Sequence, residues 1–234
     1  MRPNILITGA TGNTGLPVVE ELNSRKVSVR ALVHSPSKVS LVDRPGVEIA
    51  IGDLDDRPSI ERALAGIEKV YLLSPPSPDQ FDRQAAFVDA AKDAGVKHIV
   101  KLSALGTAAD SPVGLLRAHA RIEEHILGSG MDHTFLRPHF FLENLLGSAG
   151  SVRKDGAIYS PLGDARISPV SVRDIAAVVV SVLTEPGHTG RTYTLTGPEA
   201  VDYRTIAGHL SAELGVPVAY VPVPFEAARA AMGK

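Results

Sequence analysis

The chain has 234 residues, a formal net charge of −2 and no cysteine. Disulfides, thiolate catalysis and cysteine metal sites are thereby excluded, and a cytoplasmic location is expected. The sequence has no apolar run of membrane-spanning length and no basic block or stripe of the kind that binds nucleic acid.

The first predicted strand runs from Asn4 into Gly9-Ala10-Thr11-Gly12-Asn13-Thr14-Gly15, three glycines spaced three apart. Because the strand starts at residue 4, a cleaved leader would remove the motif, so none is expected. A helix follows, with Pro17 in its first turn and Leu16, Val18, Val19 and Leu22 forming an apolar face. Side chains at those glycines would hold the backbone away from a ligand. Without them, N–H groups and the positive end of the helix can lie against a pyrophosphate. Gly9, Thr11, Gly12, Asn13, Thr14 and Gly15 are therefore candidate dinucleotide contacts. A bare tight turn is the alternative, and the strand–glycine–helix context weighs against it.

Val27–Val33 is the second predicted strand, followed by His34-Ser35-Pro36-Ser37-Lys38. A site selective for NAD usually places an acid here for the ribose 2′-hydroxyl. This sequence has no acid from Val27 to Val42, whereas His34, Ser35 and Lys38 can donate to a 2′-phosphate. NADP(H) is the expected cofactor, with NAD(H) second; His34 and Lys38 as solvated loop residues is the competing reading. The third strand, Val47–Ile51, leads to Gly52-Asp53-Leu54. Asp53 either accepts from an adenine amino group, with Leu54 on the ring, or caps the next helix.

Lys69–Leu73 is the fourth strand, and Leu73, Ser74 and Pro75 after it are placed near the adenine ribose. Phe81, Ala85, Val88 and Ala91 show helical spacing, with Gly95 as a stop. Lys97–Leu102 is the fifth strand, ending at Ser103, and His133–Leu136 the sixth, ending near Pro138. Ser103 and Pro138 join the cofactor candidates on the nicotinamide side, with a simple turn hydroxyl as the other reading of Ser103. Apolar strands alternating with helices predict a Rossmann-type, doubly wound parallel α/β sheet. Residues 1–137 are assigned to that core. Residues 138–234 are assigned to completing it and to a small substrate lobe over the strand ends.

Past Arg137-Pro138 the rhythm changes. A short helix is expected over Phe140–Leu146, a glycine- and serine-rich stretch over Gly147–Gly163 and a strand over Ile167–Val172. A helix over Arg173–Leu183, a strand over Arg191–Thr196, a helix over Tyr203–Leu214, a strand over Val218–Val221 and a helix over Phe225–Met232 follow. His139, Phe140 and Asn144 are substrate candidates, since flat acceptors suit aromatic walls. Phe140 and Phe141 have the competing reading of core residues, which two phenylalanines in a short helix more often are. Arg137 is expected to bond nearby backbone and fix the loop.

These residues resemble the NmrA-like branch of the atypical short-chain dehydrogenases/reductases. The resemblance is carried by ITGATGNTG, VRALVHSPSK, the GDL after the third strand and HARIE at His119–Glu123, and by TFLRPHFFLEN, ISPVSVRDIA and YTLTGPEAVDY. Within that branch the sequence is most similar to type-2 NAD(P)H:quinone oxidoreductases and triphenylmethane reductases. The resemblance implies an NAD(P)H-dependent oxidoreductase acting on a small aromatic substrate. The branch also contains regulators that bind the cofactor without catalysis, which is the alternative function. Many relatives extend several dozen residues further, so part of the substrate wall is expected to be absent or to come from a second subunit in a homodimer. His34 replaces the arginine better known at the end of the second strand.

Typical short-chain dehydrogenases carry a Tyr-x-x-x-Lys pair on the helix after the fifth strand; here those positions are His119 and Glu123. A ketone reduced by hydride becomes an alkoxide, comparable in basicity to hydroxide and in need of a proton donor. A quinone gives a phenolate-like product of pKa about 10. The sequence therefore disfavours alcohol–ketone chemistry and suits quinone or dye reduction. His119 and Glu123 share a helix face. They form either a catalytic pair, with Glu123 orienting His119, or a surface pair. No metal-ligand spacing is present.

Overall fold

A computed structural model describes residues 3–232. Two compact units divide the chain. Residues up to Pro138 together with Val172–Leu195 form one, and His139–Ser171 with the residues from Thr196 form the other.

The first unit contains β1 (Ile5–Ile7), α1 (Gly15–Ser24), β2 (Val29–Val33), β3 (Val47–Ile51), α2 (Arg57–Leu64), β4 (Lys69–Leu72), α3 (Gln80–Asp93), β5 (His98–Leu102), α4 (Gly114–Ser129) and β6 (Asp132–Pro138). After α5 (Ala149–Asp155) and β7 (Ala157–Ser160) of the other unit, α6 (Val172–Thr184) and β8 (Arg191–Leu195) return to it. Its seven strands are ordered β3-β2-β1-β4-β5-β6-β8 and every pairing is parallel. Strands such as Ile5-Leu6-Ile7 are buried throughout because helices cover both faces of the sheet. Leu6, Val70, Leu72, Ile99 and Phe135 meet Ile60, Leu64, Phe87, Val88, Ile122 and Ile126 of α2, α3 and α4 in one apolar cluster. Each such side chain contributes roughly 1.5–3 kcal/mol of burial. On the opposite face α1 packs against α6. The Lys69 ammonium donates to the Leu183 carbonyl at 2.6 Å, placing a cation at the carboxyl end of α6.

The second unit pairs β7 in parallel with β9 (Ala219–Pro222), and adds α7 (Tyr203–Leu214) and α8 (Phe225–Met232). Ile158, Ile167, Val201, Tyr203, Ile206 and Val218 form its core, with Phe140 and Tyr220 packed against them. Asp202 caps α7 by accepting from the Thr205 N–H at 2.7 Å.

Several element boundaries differ from expectation for identifiable reasons. The second strand starts at Val29 because the Val27 N–H closes α1 onto the Leu22 carbonyl. The sixth continues through Pro138, whose carbonyl accepts from the Leu105 N–H. Phe140–Leu146 is no α-helix. Phe141 is held extended by its bridge to Val170, and a 3-10 turn follows over Leu142–Ser148. Ile167–Val172 makes only two isolated bridges, since Pro169 between them has no N–H to extend a ladder. Gly147–Gly163 holds α5 and β7.

Candidate functional site

Because β1 to β6 all run parallel, their carboxyl ends lie along one edge of the sheet, and β1 and β4 flank the point where strand order reverses. Gly9 to Gly15 follow β1, His34 to Lys38 follow β2, and Asp53 and Leu54 follow β3. Leu73, Ser74 and Pro75 follow β4, Ser103 follows β5, and Pro138 ends β6. The sequence-derived cofactor residues are thus collected along a single edge by topology alone.

Thr8 ties β1 to β4 at that edge. Its hydroxyl donates to the Leu73 carbonyl at 2.7 Å and accepts from the Leu73 N–H at 2.8 Å. Gly9 then turns with φ of +54°, a conformation glycine adopts without a Cβ penalty. The Gly12 N–H returns to the Gly9 carbonyl at 2.9 Å and Gly12 and Asn13 remain exposed. Gly15 answers to packing: a Cβ there would overlap the Gly9 carbonyl oxygen and lie 2.8 Å from its carbon. The N–H groups of Asn13, Thr14 and Gly15 donate to no backbone carbonyl among the described residues. An open turn with unused donors at a helix start fits a diphosphate.

On the next two strand ends, His34 Nδ1 lies 3.1 Å from Asp53 Oδ2, with the His34 side chain exposed. Asp53 does not cap a helix. It accepts from the Asp55 N–H, while Asp56 stands at the N-cap position of α2. Ser35 bonds the Ser37 hydroxyl, Lys38 is exposed, and Ser74 accepts from the Gln84 amide at 2.7 Å.

Beyond β5, proton counting orients Ser103. The Thr107 hydroxyl spends its one proton on the Ala104 carbonyl at 2.7 Å. In the 3.2 Å contact between the two hydroxyls, Ser103 must therefore donate to Thr107. Ser103 is left with acceptor lone pairs, which suit an amide N–H better than a carbonyl oxygen.

On α4, His119 and Glu123 are both buried, so the surface-pair reading fails. The catalytic-pair reading is corrected as well: Glu123 does not orient His119. Both of its oxygens are taken by Arg137, at 2.5 Å from Nη2 and 3.1 Å from Nε. Arg137 accordingly binds a carboxylate, where nearby backbone was expected. His119 Nδ1 is buried without a hydrogen-bond partner. Burial, followed by the nearby Lys101 charge, pushes the imidazole down to about 3, so the ring is neutral at physiological pH.

Lys101 escaped the sequence reading. It sits in β5 with its side chain fully buried, donating to the Leu102 carbonyl at 2.6 Å. Burial pushes its ammonium down to about 7, partly opposed by Glu123. The available signal was a lysine inside the apolar run His98-Ile99-Val100-Lys101-Leu102.

His139, Phe140 and Asn144 belong to the second unit. His139 Nδ1 accepts from the Ser168 N–H at 2.9 Å, which puts its proton on Nε2. Phe140 packs against that unit's core, and Asn144 is exposed in the 3-10 turn. Among the described residues no His, Asp and Glu cluster is disposed to hold a metal ion, and no helix is long and apolar enough to cross a membrane.

The strand order, the glycine turn and the residues lined along one sheet edge define a Rossmann-type α/β protein of the dinucleotide-binding kind. More narrowly, the chain belongs to the NmrA-like family, whose model matches residues 1–232. It is 42% identical over 228 residues to the NAD(P)H azoreductase of Xenophilus azovorans, spanning 97% of this chain and 80% of that protein. It is also similar to the Escherichia coli NADPH-dependent quinone oxidoreductase complexed with NADPH. That structure has a TM-score of 0.89 at 32% identity, covering 98% of this chain and 83% of the other. The Citrobacter sp. triphenylmethane reductase complexed with NADP(H) gives a TM-score of 0.87 at 30% identity, covering 95% and 80%.

Proposed function

We propose that this protein is an NAD(P)H-dependent oxidoreductase that reduces small aromatic acceptors of the quinone, azo or triphenylmethane type, with NADPH preferred. Support comes from the similarity to three reductases of such acceptors. The observation that carries it is a reaction side without a ready acid. Ser103 gives its proton to Thr107, and His119 Nδ1 is buried without a hydrogen-bond partner.

When bound, the nicotinamide supplies a hydride. The residues from Gly9 to Gly15 would hold the diphosphate through main-chain N–H groups, His34, Ser35 and Lys38 would bind the adenosine phosphate, and Ser103 would accept from the carboxamide. His119 donates one hydrogen bond from a neutral ring to the heteroatom that gains charge, as an electrophile and not as an imidazolium acid. Acceptors whose reduced form is a stabilised anion or a neutral molecule suit such a site, and simple ketones do not. His139, Phe140 and Asn144 are proposed to contact the acceptor. The reading also includes a cytoplasmic location and a homodimer, which fractionation and sedimentation would test.

NADPH oxidation should depend on added benzoquinone or azo dye and be negligible with aliphatic ketones. Cofactor binding without acceptor-dependent oxidation across such a panel would instead support the regulator alternative. His119→Ala should lower kcat about 10- to 100-fold with an unchanged NADPH Kd; unaltered turnover would remove His119 from the mechanism. His34→Ala should weaken NADPH about 10-fold, the worth of one charge-assisted bond, and NADH much less. Equal losses for the two cofactors in titration calorimetry would move the 2′-phosphate contact elsewhere.

A further inference from the structure

The Glu123–Arg137 pair uses only part of its cation. A guanidinium carries five N–H donors, one on Nε and two on each Nη. Glu123 takes one from Nε at 3.1 Å and one from Nη2 at 2.5 Å, so the carboxylate lies along one side of the fork. Three donors are left, and among the described residues none of them meets an acceptor. Two of the three, one on each Nη, lie parallel at the end of the fork. That is the geometry that grips a carboxylate, phosphate or sulfonate.

The sheet fixes where this open end sits. The Ser103 N–H donates to the Leu136 carbonyl at 2.7 Å and the Leu105 N–H to the Pro138 carbonyl at 2.9 Å. These bonds carry the β5–β6 register past Leu102 and set Ser103 beside Arg137. Ile99 and Phe135 pack with Ile122 and Ile126 of α4, so by alternation Ser103 and Arg137 lie on that same face. Arg137 keeps 30% of its side chain exposed against 6% for Glu123, so the accessible part of the pair is the guanidinium. Leu105, next along the edge, is 39% exposed. A fixed cation and an exposed apolar residue therefore adjoin Ser103, the proposed carboxamide partner.

We propose that Arg137 is a specificity-determining residue that binds an anionic substituent (sulfonate, carboxylate or phosphate) on the aromatic acceptor. The inference rests on the reductase reading and names the preferred substrates within it, aromatic acceptors that carry negative charge. Glu123 is the positioning residue. It turns a flexible side chain into a preorganised fork whose open end needs no further ordering on binding. Arginine does not give up its proton in proteins, so the grip holds across the working pH range. An acceptor with a cationic substituent meets like charge at the same place and is disfavoured.

The test is NADPH-dependent reduction of three azobenzenes that differ in one para substituent: a sulfonate, its uncharged sulfonamide and a trimethylammonium group. In wild type the sulfonate should have a KM about 10-fold below that of the sulfonamide, the low end for hydrogen bonds to charged groups. The trimethylammonium compound should have the highest KM of the three. The sulfonate advantage should shrink as salt rises from about 0.1 to 1 M. Equal KM values for sulfonate and sulfonamide in wild type would overturn the proposal without any variant having to fold. Arg137→Lys keeps the charge but not the fork and should lose most of the advantage. Glu123→Gln/Arg137→Met removes both charges together and strands neither, and there the ratio of the two KM values should fall to about one. A ratio retained in that double variant would also overturn the proposal. Because the ratio is internal to each protein, a general loss of activity or stability does not move it. Calorimetry with naphthalenesulfonate and the matching sulfonamide on NADP+-saturated protein reads the same preference without turnover. A sulfonate preference in binding, with no azo or quinone compound reduced, would count against the reductase reading alone.

Discussion

Glu123→Ala is expected to lower stability by about 3 kcal/mol, the low end for breaking a buried ion pair, because Arg137 retains 30% of its side-chain exposure. For a chain of this size that is a fall in Tm of roughly 6–12 °C. The loss is large because deletion strands a guanidinium and leaves Lys101 without its one opposing carboxylate. The Glu123→Ala/Lys101→Met double variant should recover part of it, since the surplus buried cation goes with the anion. Thermal denaturation of the two single variants and the double checks this. Strict additivity would mean that Lys101 and Glu123 do not share one charge balance.

Gly15→Ala is the second large effect. The added Cβ meets backbone, not a side chain that can swing aside: the Gly9 carbonyl and, at 3.0 Å, Ala10 Cα. Gly9 in turn is wedged under Leu73, whose Cγ would lie 3.0 Å from a Cβ at that position. The helix must therefore lift from the turn. We expect a destabilisation of about 3 kcal/mol, the upper end for overpacking. NADPH affinity should fall more than about 10-fold, because the N–H donors at the start of α1 move with the helix. Gly128→Ala near the end of α4 is the matched control, with nothing within 4 Å of its Cβ. It should be neutral or stabilising by roughly 0.5–1 kcal/mol, the helix-propensity gain of alanine over glycine. Denaturant unfolding and calorimetry distinguish the two. Comparable losses at both positions would show that the Gly15 contact is not special.

The architecture was legible in the sequence because each part of it leaves a local trace. Apolar strands such as Ile5-Leu6-Ile7 and the helical spacing from Phe81 to Ala91 read directly as a covered parallel sheet. The glycine turn read equally well, since its spacing is dictated by the turn itself. What failed was whatever depends on partners distant in sequence. Pairing His119 with Glu123 followed from a shared helix face, but the carboxylate is claimed by Arg137, fourteen residues away on a different element. Lys101 was passed over for the same reason, although it interrupts an apolar run. A lysine in a strand reads as an edge residue until the sheet order places its strand between β4 and β6. Past Pro138, short elements such as β7 and the turn at Leu142–Ser148 depend on bridges that no periodicity announces.

The return of the chain through α6 to β8 bears on any attempt at dissection. Thr134 to Pro138 form a ladder with Arg191 to Leu195, so β6 is an interior strand only while the later segment is present. A fragment cut after Pro138 would keep every glycine of the first turn yet bare a row of unpaired amides along an apolar margin, an invitation to self-association. Any shortened nucleotide-binding fragment must therefore keep residues 172–195 beside β6.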